Sequence, residues 1–240
     1  MSLKGLGLNF DHELIPATLI KRYKRFLADA KLDCGTQITA HCPNTGSMKT
    51  CGSPGDRIYL SHNDSPKRKL AYTWELTQTK GGFIGINTHR PNKLVLNAIK
   101  DGQIAELSGY QNIRAEVPYG DRSRIDILLE EGKRPPCYVE VKNVTLLVDD
   151  QLAFPDAVSE RGLKHIKELE KQLKLGNRAV MFFLVNRPEG DYFRPAKEID
   201  PTYSKALETA QKAGVEVLIY RCSHSLNASK ITEKLSLKWS

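Results

Sequence analysis

Several kinds of residue pattern are missing from this 240-residue chain, and each absence excludes something. No apolar stretch approaches the ~20 residues needed to cross a bilayer, so no membrane partner is expected. The N-terminus lacks a charged segment followed by an apolar run, so no secretory leader is expected. Cysteine is sparse and odd in number: Cys34, Cys42, Cys51, Cys137 and Cys222 stand at irregular spacings. That fits reduced thiols in a cytoplasm better than a disulfide framework. No Cys-x-x-Cys redox pair, Gly-rich nucleotide loop or nucleophile elbow occurs, which removes the commonest redox, nucleotide-binding and serine-hydrolase signatures. A zinc site from His41, Cys42 and Cys51 matches no common ligand spacing. There is no internal repeat and no low-complexity segment.

Acidic charge is also in short supply: 28 Asp/Glu face 36 Lys/Arg, a net +8. Residues 1–80 carry 12 basic against 7 acidic side chains, a net +5, and the remaining 160 carry 24 against 21, a net +3. A basic excess favours polyanions, because each neutralised phosphate releases counterions.

Two textures follow one another. Residues 1–81 show short β-type runs broken by turn signals. The runs are Ala17-Thr18-Leu19-Ile20, Arg22 to Ala28, Gln37 to Ala40, Asp56 to Leu60 and Tyr72 to Leu76. Pro43-Asn44-Thr45-Gly46 and Gly52-Ser53-Pro54-Gly55 are turn signals, and the whole predicts a small β-barrel. In the run from Arg22, alternation puts Tyr23, Arg25 and Leu27 on one face. Lys21, Arg22, Lys24 and Arg25, with Tyr23 and Phe26 for stacking, form either a phosphate-tracking stripe or a strand with solvated charges. His41 to Met48 is a dense polar turn at the end of such a strand.

Residues 82–240 alternate helices and strands after a boundary at Gly81-Gly82. Phe83 to Ile86 reads as a strand and Asn92 to Leu107 as a helix. Three strands follow: Ile113 to Val117, Arg124 to Glu130 and Cys137 to Leu147. A helix from Ala157 to Leu175, with Asp156 as N-cap and Val158, Ile166, Leu169 and Leu173 on one face, precedes a strand from Arg178 to Val185. Pro201 to Ala213 is a helix closed by Gly214, and Val215 to Tyr220 a last strand. A helix, a three-strand meander, a crossover helix and a further strand form the core of the restriction-endonuclease-like fold, an α/β (α+β) arrangement.

In that arrangement the second and third meander strands carry chemistry. Asp126 lies on the second; Glu140 and Lys142, two apart, share one face of the third while Val139 and Val141 take the other. Two carboxylates suit Mg²⁺ or Mn²⁺, and a lysine beside them can position water or stabilise phosphorane charge. The bland reading is a Glu–Lys pair on a solvated sheet face, worth about 0–1 kcal/mol. Glu116 is either a third metal carboxylate or a surface strand-end acid. Arg124 either clamps a phosphate or pairs with Asp126. Arg161 and His165, one helical turn apart, either touch substrate or decorate a polar face. Gly162, costly inside a helix, argues for a close approach there.

Several strings resemble the bacterial and archaeal sugar fermentation stimulation protein A family. They are Ile20-Lys21-Arg22-Tyr23-Lys24-Arg25-Phe26, His41-Cys42-Pro43-Asn44-Thr45-Gly46, Thr73-Trp74-Glu75-Leu76 and Ile86-Asn87-Thr88. Further on they are Ser123-Arg124-Ile125-Asp126, Tyr138-Val139-Glu140-Val141-Lys142, Phe154-Pro155-Asp156-Ala157-Val158, Glu160-Arg161-Gly162 and Lys164-His165. The resemblance runs from about Leu14 to Tyr220 and implies an OB-type barrel before a nuclease-like domain of the PD-(D/E)XK type. It further implies sequence-nonspecific DNA binding, a link to sugar (maltose) metabolism and DNA/RNA nuclease chemistry. Asp126, Glu140 and Lys142 would take the metal-binding and catalytic places, although the motif's leading Pro-Asp is Ile125-Asp126 here. The partner expected is nucleic acid, DNA or RNA, and the sequence leaves room for a homodimer. The alternative is a non-catalytic DNA-binding regulator on a nuclease-like fold.

Overall fold

The computed structural model describes residues 7–120 and 123–239. Leu8–Asn9 (β1) pairs with a strand near the other end of the chain. The barrel is built from Ile15–Tyr23 (β2), Leu27–Leu32 (β3), Gln37–His41 (β4), Arg57–His62 (β5) and Tyr72–Thr79 (β6). In β2, Ala17 and Leu19 point inward while Thr18 and Ile20 face out, the period of two expected of a strand buried on one face. The β2–β3 register slips by one residue between Leu19 and Lys21, a bulge that bends β2. The bent strand pairs with β3 on one side and β5 on the other. A short parallel pairing, Ala40 with Tyr72 and His41 with Thr73, closes the five strands. Ala17, Ala28, Ala30 and Ala40 are fully buried in this interior beside Trp74. The small side chains make room for the indole, whose Nε1 donates to the Leu76 carbonyl at 3.1 Å.

The stretch from Arg22 to Ala28 is not one strand. Lys24 and Arg25 adopt left-handed backbone (φ 49° and 65°), and Tyr23 pairs with Leu27 across a hairpin. Alternation could not show this, because neither residue is a usual left-handed turn former; that conformation costs roughly 1–2 kcal/mol per non-glycine residue. Gly81 likewise lies in a hairpin turn. Gly82–Gly85 (β7) pairs with β6, so the expected change of texture falls inside the barrel sheet.

Pro91–Lys100 (α1) opens the second unit; Gly102 (φ 69°) follows it, and Ala105–Leu107 is only a short 3-10 turn, so the helix is shorter than expected. Asn112–Tyr119 (β8), Ser123–Glu131 (β9) and Arg134–Val144 (β10) form the meander. Two small strands, Leu146–Val148 (β11) and Gln151–Phe154 (β12), lead to Glu160–Lys174 (α2). Then come Arg178–Val185 (β13), Tyr192–Pro195 (β14), Pro201–Ala213 (α3), Glu216–His224 (β15), Ala228–Lys234 (β16) and Ser236–Leu237 (β17). The large sheet runs β1-β16-β15-β13-β10-β9-β8, with β13 parallel to both β10 and β15. The small strands β11, β12, β14 and β17 form a second sheet.

The large sheet is buried on both faces, which is why β13 is apolar almost throughout. Leu94, Val95, Ala98 and Ile99 of α1 cover one face with Val139, Val141 and Phe182. Ile166 and Leu169 of α2 and Tyr203 and Leu207 of α3 cover the other with Met181 and Phe183. Asp156 is not the cap of α2. Ser159 is, its side chain accepting from the Gly162 amide, and Val158 is 74% exposed and off the apolar face.

Barrel and sheet domain meet in a polar joint. Arg187, 3% exposed, donates to the Thr145 carbonyl at 2.7 Å and to Thr50 Oγ1 at 3.1 Å. The Ser47 amide donates to Asp156 Oδ2 at 2.7 Å, and Thr88 Oγ1 to the Pro43 carbonyl at 2.9 Å. Gly85 lies flat against His224: a Cβ there would stand 2.7 Å from the imidazole.

Candidate active site

The site forms where two strands separate. β9 and β10 pair regularly from Cys137–Leu129 to Val139–Ile127 and no further. Asp126 is the next residue, and its carboxylate fills the gap: Oδ2 accepts from the Val141 amide at 2.7 Å. Oδ1 accepts from Asn92 Nδ2, also at 2.7 Å, at the start of α1. Asn92 reaches Glu116 Oε1 as well, at 3.4 Å. Glu116 sits on β8 with left-handed backbone (φ 54°) and is exposed.

Glu140 and Lys142 share the α2 face of the sheet, as their spacing predicts, while Val139 and Val141 pack toward α1. Glu140 is 2% exposed. Its Oε1 accepts from Lys142 Nζ at 2.8 Å and makes a very short contact with His165 Nδ1. His165 Nδ1 and Lys142 Nζ are 3.0 Å apart, so acid, lysine and histidine form one cluster. Arg161 Nε lies 3.4 Å from His165 Nε2, one turn away on the same helix. Gly162 sits where Ser159 Oγ and the Tyr203 ring come within 2.7 and 3.0 Å of a would-be Cβ. The close approach expected there is thus to the cap and to α3.

Burial and the neighbouring Glu140 charge push the Asp126 carboxyl up to about 7. For Glu140 burial acts upward too, but the His165 hydrogen bond and the Lys142 charge outweigh it and hold the carboxyl below its ordinary value. The two acids are driven apart, a pattern typical of sites that use one group as base and another as acid. Tyr119 is raised by burial and then by the charges of Glu140, Glu168 and Asp126.

A divalent cation can be tested against this arrangement. Among the described residues no three His, Cys, Asp or Glu side chains form a ready ligand cage. Two hard carboxylates do stand on neighbouring strands, and Glu140 Oε2 is buried without a partner among the described residues. An orphaned carboxylate oxygen at that depth is costly, roughly 1–3 kcal/mol or more, and a cation would satisfy it. The donor set fits a small oxygen-seeking ion.

The structure gathers Asp126, Glu140, Lys142, His165 and Arg161, with Glu116 attached through Asn92. Arg124 is exposed and reaches the Glu116 carbonyl at 3.4 Å rather than the Asp126 carboxylate. Arg22 is engaged inside the barrel domain: its guanidinium holds the Asn44 and Gly46 carbonyls, both at 2.9 Å, and so shapes the polar turn. Lys21 and Tyr23 both reach Asp29, at 3.6 and 3.0 Å. Lys24, Arg25 and the 48%-exposed Phe26 project at the hairpin tip. Asn92 was not legible as a site residue. An asparagine behind a proline at a helix start carries no catalytic signature, and only the fold brings it to Asp126.

Two family profiles cover this chain: "SfsA N-terminal OB domain" over residues 20–86 and "Sugar fermentation stimulation protein RE domain" over residues 89–228. The chain belongs to the SfsA family. Its SfsA relatives include the sugar fermentation stimulation protein homologs of Geotalea uraniireducens and Geobacter sulfurreducens. The first is 53% identical over 94% of this chain and 97% of the relative; the second is 53% identical over 92% and 95%. Among solved structures, Pyrococcus furiosus SfsA in complex with Ca²⁺ is 27% identical, with a TM-score of 0.88 over 98% of this chain and 99% of that one. The SfsA architecture is therefore an OB-like barrel joined to a restriction-endonuclease-like α/β domain. The profiles part at residues 86–89, after β7. All five cysteines are free thiols, and no helix among the described residues is long and apolar enough to cross a membrane.

Proposed function

We propose that this SfsA-family chain is a metal-dependent nuclease whose reacting site is Asp126, Glu140 and Lys142. The observation that carries the reading is the pairing of the part-buried Asp126 carboxylate with the buried Glu140 carboxylate where β9 and β10 separate, with Glu140 Oε2 unpartnered among the described residues. Asp126 and Glu140 would hold Mg²⁺ or Mn²⁺. The solved Pyrococcus furiosus relative, described in complex with Ca²⁺, lends support, since Ca²⁺ also prefers carboxylate oxygens. When bound, such an ion neutralises phosphate charge and lowers the pKa of its water.

The chain's own residues supply the rest. Lys142, tethered to Glu140 Oε1, presents a fixed cation for the charge that develops on a phosphorane. His165 braces both groups from α2, and Arg161 extends the positive face outward. Asn92 holds the Asp126 carboxylate toward β10. The hairpin tip of Lys24, Arg25 and exposed Phe26 offers charge and a stacking face to a nucleic acid strand.

One observation favours the second reading, a non-catalytic binder: Glu140 Oε1 is already engaged by Lys142 and His165. Cleavage of end-labelled DNA and RNA, single- and double-stranded, with Mg²⁺, Mn²⁺ or chelator separates the two. We expect metal-dependent cutting that falls about 100-fold or more in Glu140→Ala and in Lys142→Ala. Binding without cutting under every condition, with Glu140→Ala binding equally or better, would establish the binder.

A further inference from the structure

A second concave site lies on the other side of the first turn of α1. While Asn92 points to Asp126, Arg90 and Lys93 line a cavity of about 410 Å³ between the barrel and the sheet domain. His41, His62 and Arg68 face it from the barrel, and His89 from the segment before α1. His12 closes the N-terminal side, so four of the chain's six histidines border one cleft.

We propose that this cleft binds a phosphate monoester, the group carried by a phosphorylated sugar or by the terminus of a nucleic acid strand. Such a group bears about two negative charges at pH 7 and accepts several hydrogen bonds. The cleft presents the complement. Three fixed cations (Arg68, Arg90 and Lys93) face two carboxylates (Asp11 and Glu75). Glu75 is already engaged: Asn87 Nδ2 donates to both its oxygens at 3.0 and 2.9 Å, and Ser61 Oγ to Oε1 at 2.8 Å. The surplus is positive before any histidine takes a proton.

Arg90 supplies a separate indication. Its Nη2 holds the Leu8 and Asn9 carbonyls, at 2.7 and 3.1 Å, and the centre of the Phe10 ring lies 4.0 Å from the guanidinium carbon. Its Nε is buried with no partner among the described residues. A fixed guanidinium with an unused donor suits an oxyanion. Crowding of like charge points the same way, since His41 is depressed by burial and then by His89 and Arg68. An anion would relieve that repulsion; a metal cation would add to it.

The inference stands apart from the nuclease reading, because none of these side chains belongs to the Asp126–Glu140 cluster. Calorimetry on the full chain at low salt tests it with two matched pairs. One is glucose 6-phosphate against glucose; the other is a single-stranded oligonucleotide with and without a 5′-phosphate. The proteins are wild type, Arg68→Ala, Lys93→Ala and Glu140→Ala. Arg68 and Lys93 are exposed, so both variants should keep the wild-type Tm.

We expect the phosphorylated member of at least one pair to bind about tenfold or more tightly than its partner, with that preference lost in Arg68→Ala and Lys93→Ala. Preference confined to the sugar pair identifies a small phosphorylated ligand; preference in the oligonucleotide pair identifies a strand terminus. The proposal is overturned if neither pair shows a preference, or if the preference survives both substitutions. Glu140→Ala should retain the preference even if the chain proves not to be a nuclease.

Discussion

Both carboxylate oxygens of Asp126 are engaged by neutral donors, the Val141 amide and Asn92. Among the described residues no ion-pair partner touches this carboxylate, and burial with the Glu140 charge raises the acid to about 7. Replacing it with asparagine should therefore leave the fold nearly intact. The carbonyl of the introduced side chain can still accept from Val141, and Asn92 can turn its own carbonyl to the new amide. We expect Asp126→Asn to change stability by about 1 kcal/mol, roughly 2–4 °C in Tm, while any metal-dependent cleavage drops about 100-fold. Thermal melts beside the cleavage assay check both, and a large Tm loss would make Asp126 chiefly a structural residue. Glu140 with Lys142 was legible because strand alternation fixes which residues share a face, and Asp126 from its place on the neighbouring strand. His165 was legible only as a candidate. Its buried contact with Glu140 depends on how α2 is laid across the sheet, and Asn92 depends on α1 in the same way.

The two helices behind the site start from one carboxylate. Asp200 Oδ1 accepts from the Tyr203 amide at 2.9 Å and caps α3, while Oδ2 accepts from the Ser159 amide, also at 2.9 Å, at the cap of α2. Ser159 alone closes only the first turn of α2, through Gly162. Ser159→Ala should cost about 1 kcal/mol, the usual worth of a cap. Asp200→Ala should cost more, about 2–3 kcal/mol, because it leaves one buried and one part-buried amide unpaired. Urea unfolding of both variants measures the difference, and equal losses would show that Asp200 serves α3 alone. At this scale α3 and β13 matched their sequence signals closely, since each is marked by local chemistry: Pro201 and Gly214 for one, an unbroken apolar run for the other. Elements set by distant partners were not legible. Asp156, a plausible cap by sequence, turns instead to the Ser47 amide 109 positions away. The Lys24–Arg25 turn is imposed by β2–β3 pairing against local preference. The strands β12, β14, β16 and β17 exist through pairings that local alternation does not encode.

At the scale of the whole molecule, the joint between the barrel and the sheet domain holds one buried group that responds to acid. His224 sits against Gly85 with Nδ1 2.9 Å from Ser229 Oγ, and burial followed by the Arg90 charge lowers it from 6.5 to about 3. The unfolded chain protonates this residue near pH 6.5 and the folded chain only near pH 3, so between those values the unfolded form binds the extra proton. Its contribution to stability is complete above about pH 6.5 and is lost as pH falls through that window. His224→Asn, which can keep the Ser229 hydrogen bond, should flatten the acid side of the Tm–pH curve. An unchanged slope would place the acid sensitivity elsewhere.

The parting of β9 and β10 has one more consequence. The Val141 amide is held by a side chain instead of a neighbouring strand, so its proton responds to whatever Asp126 is doing. A cation or phosphate that drew the carboxylate away would weaken that single bond and leave the pairings on the rest of β10 in place. Val141 is thus a built-in spectroscopic reporter at the centre of the site, readable in the chemical shift and exchange rate of one backbone proton without any label attached to the protein's surface.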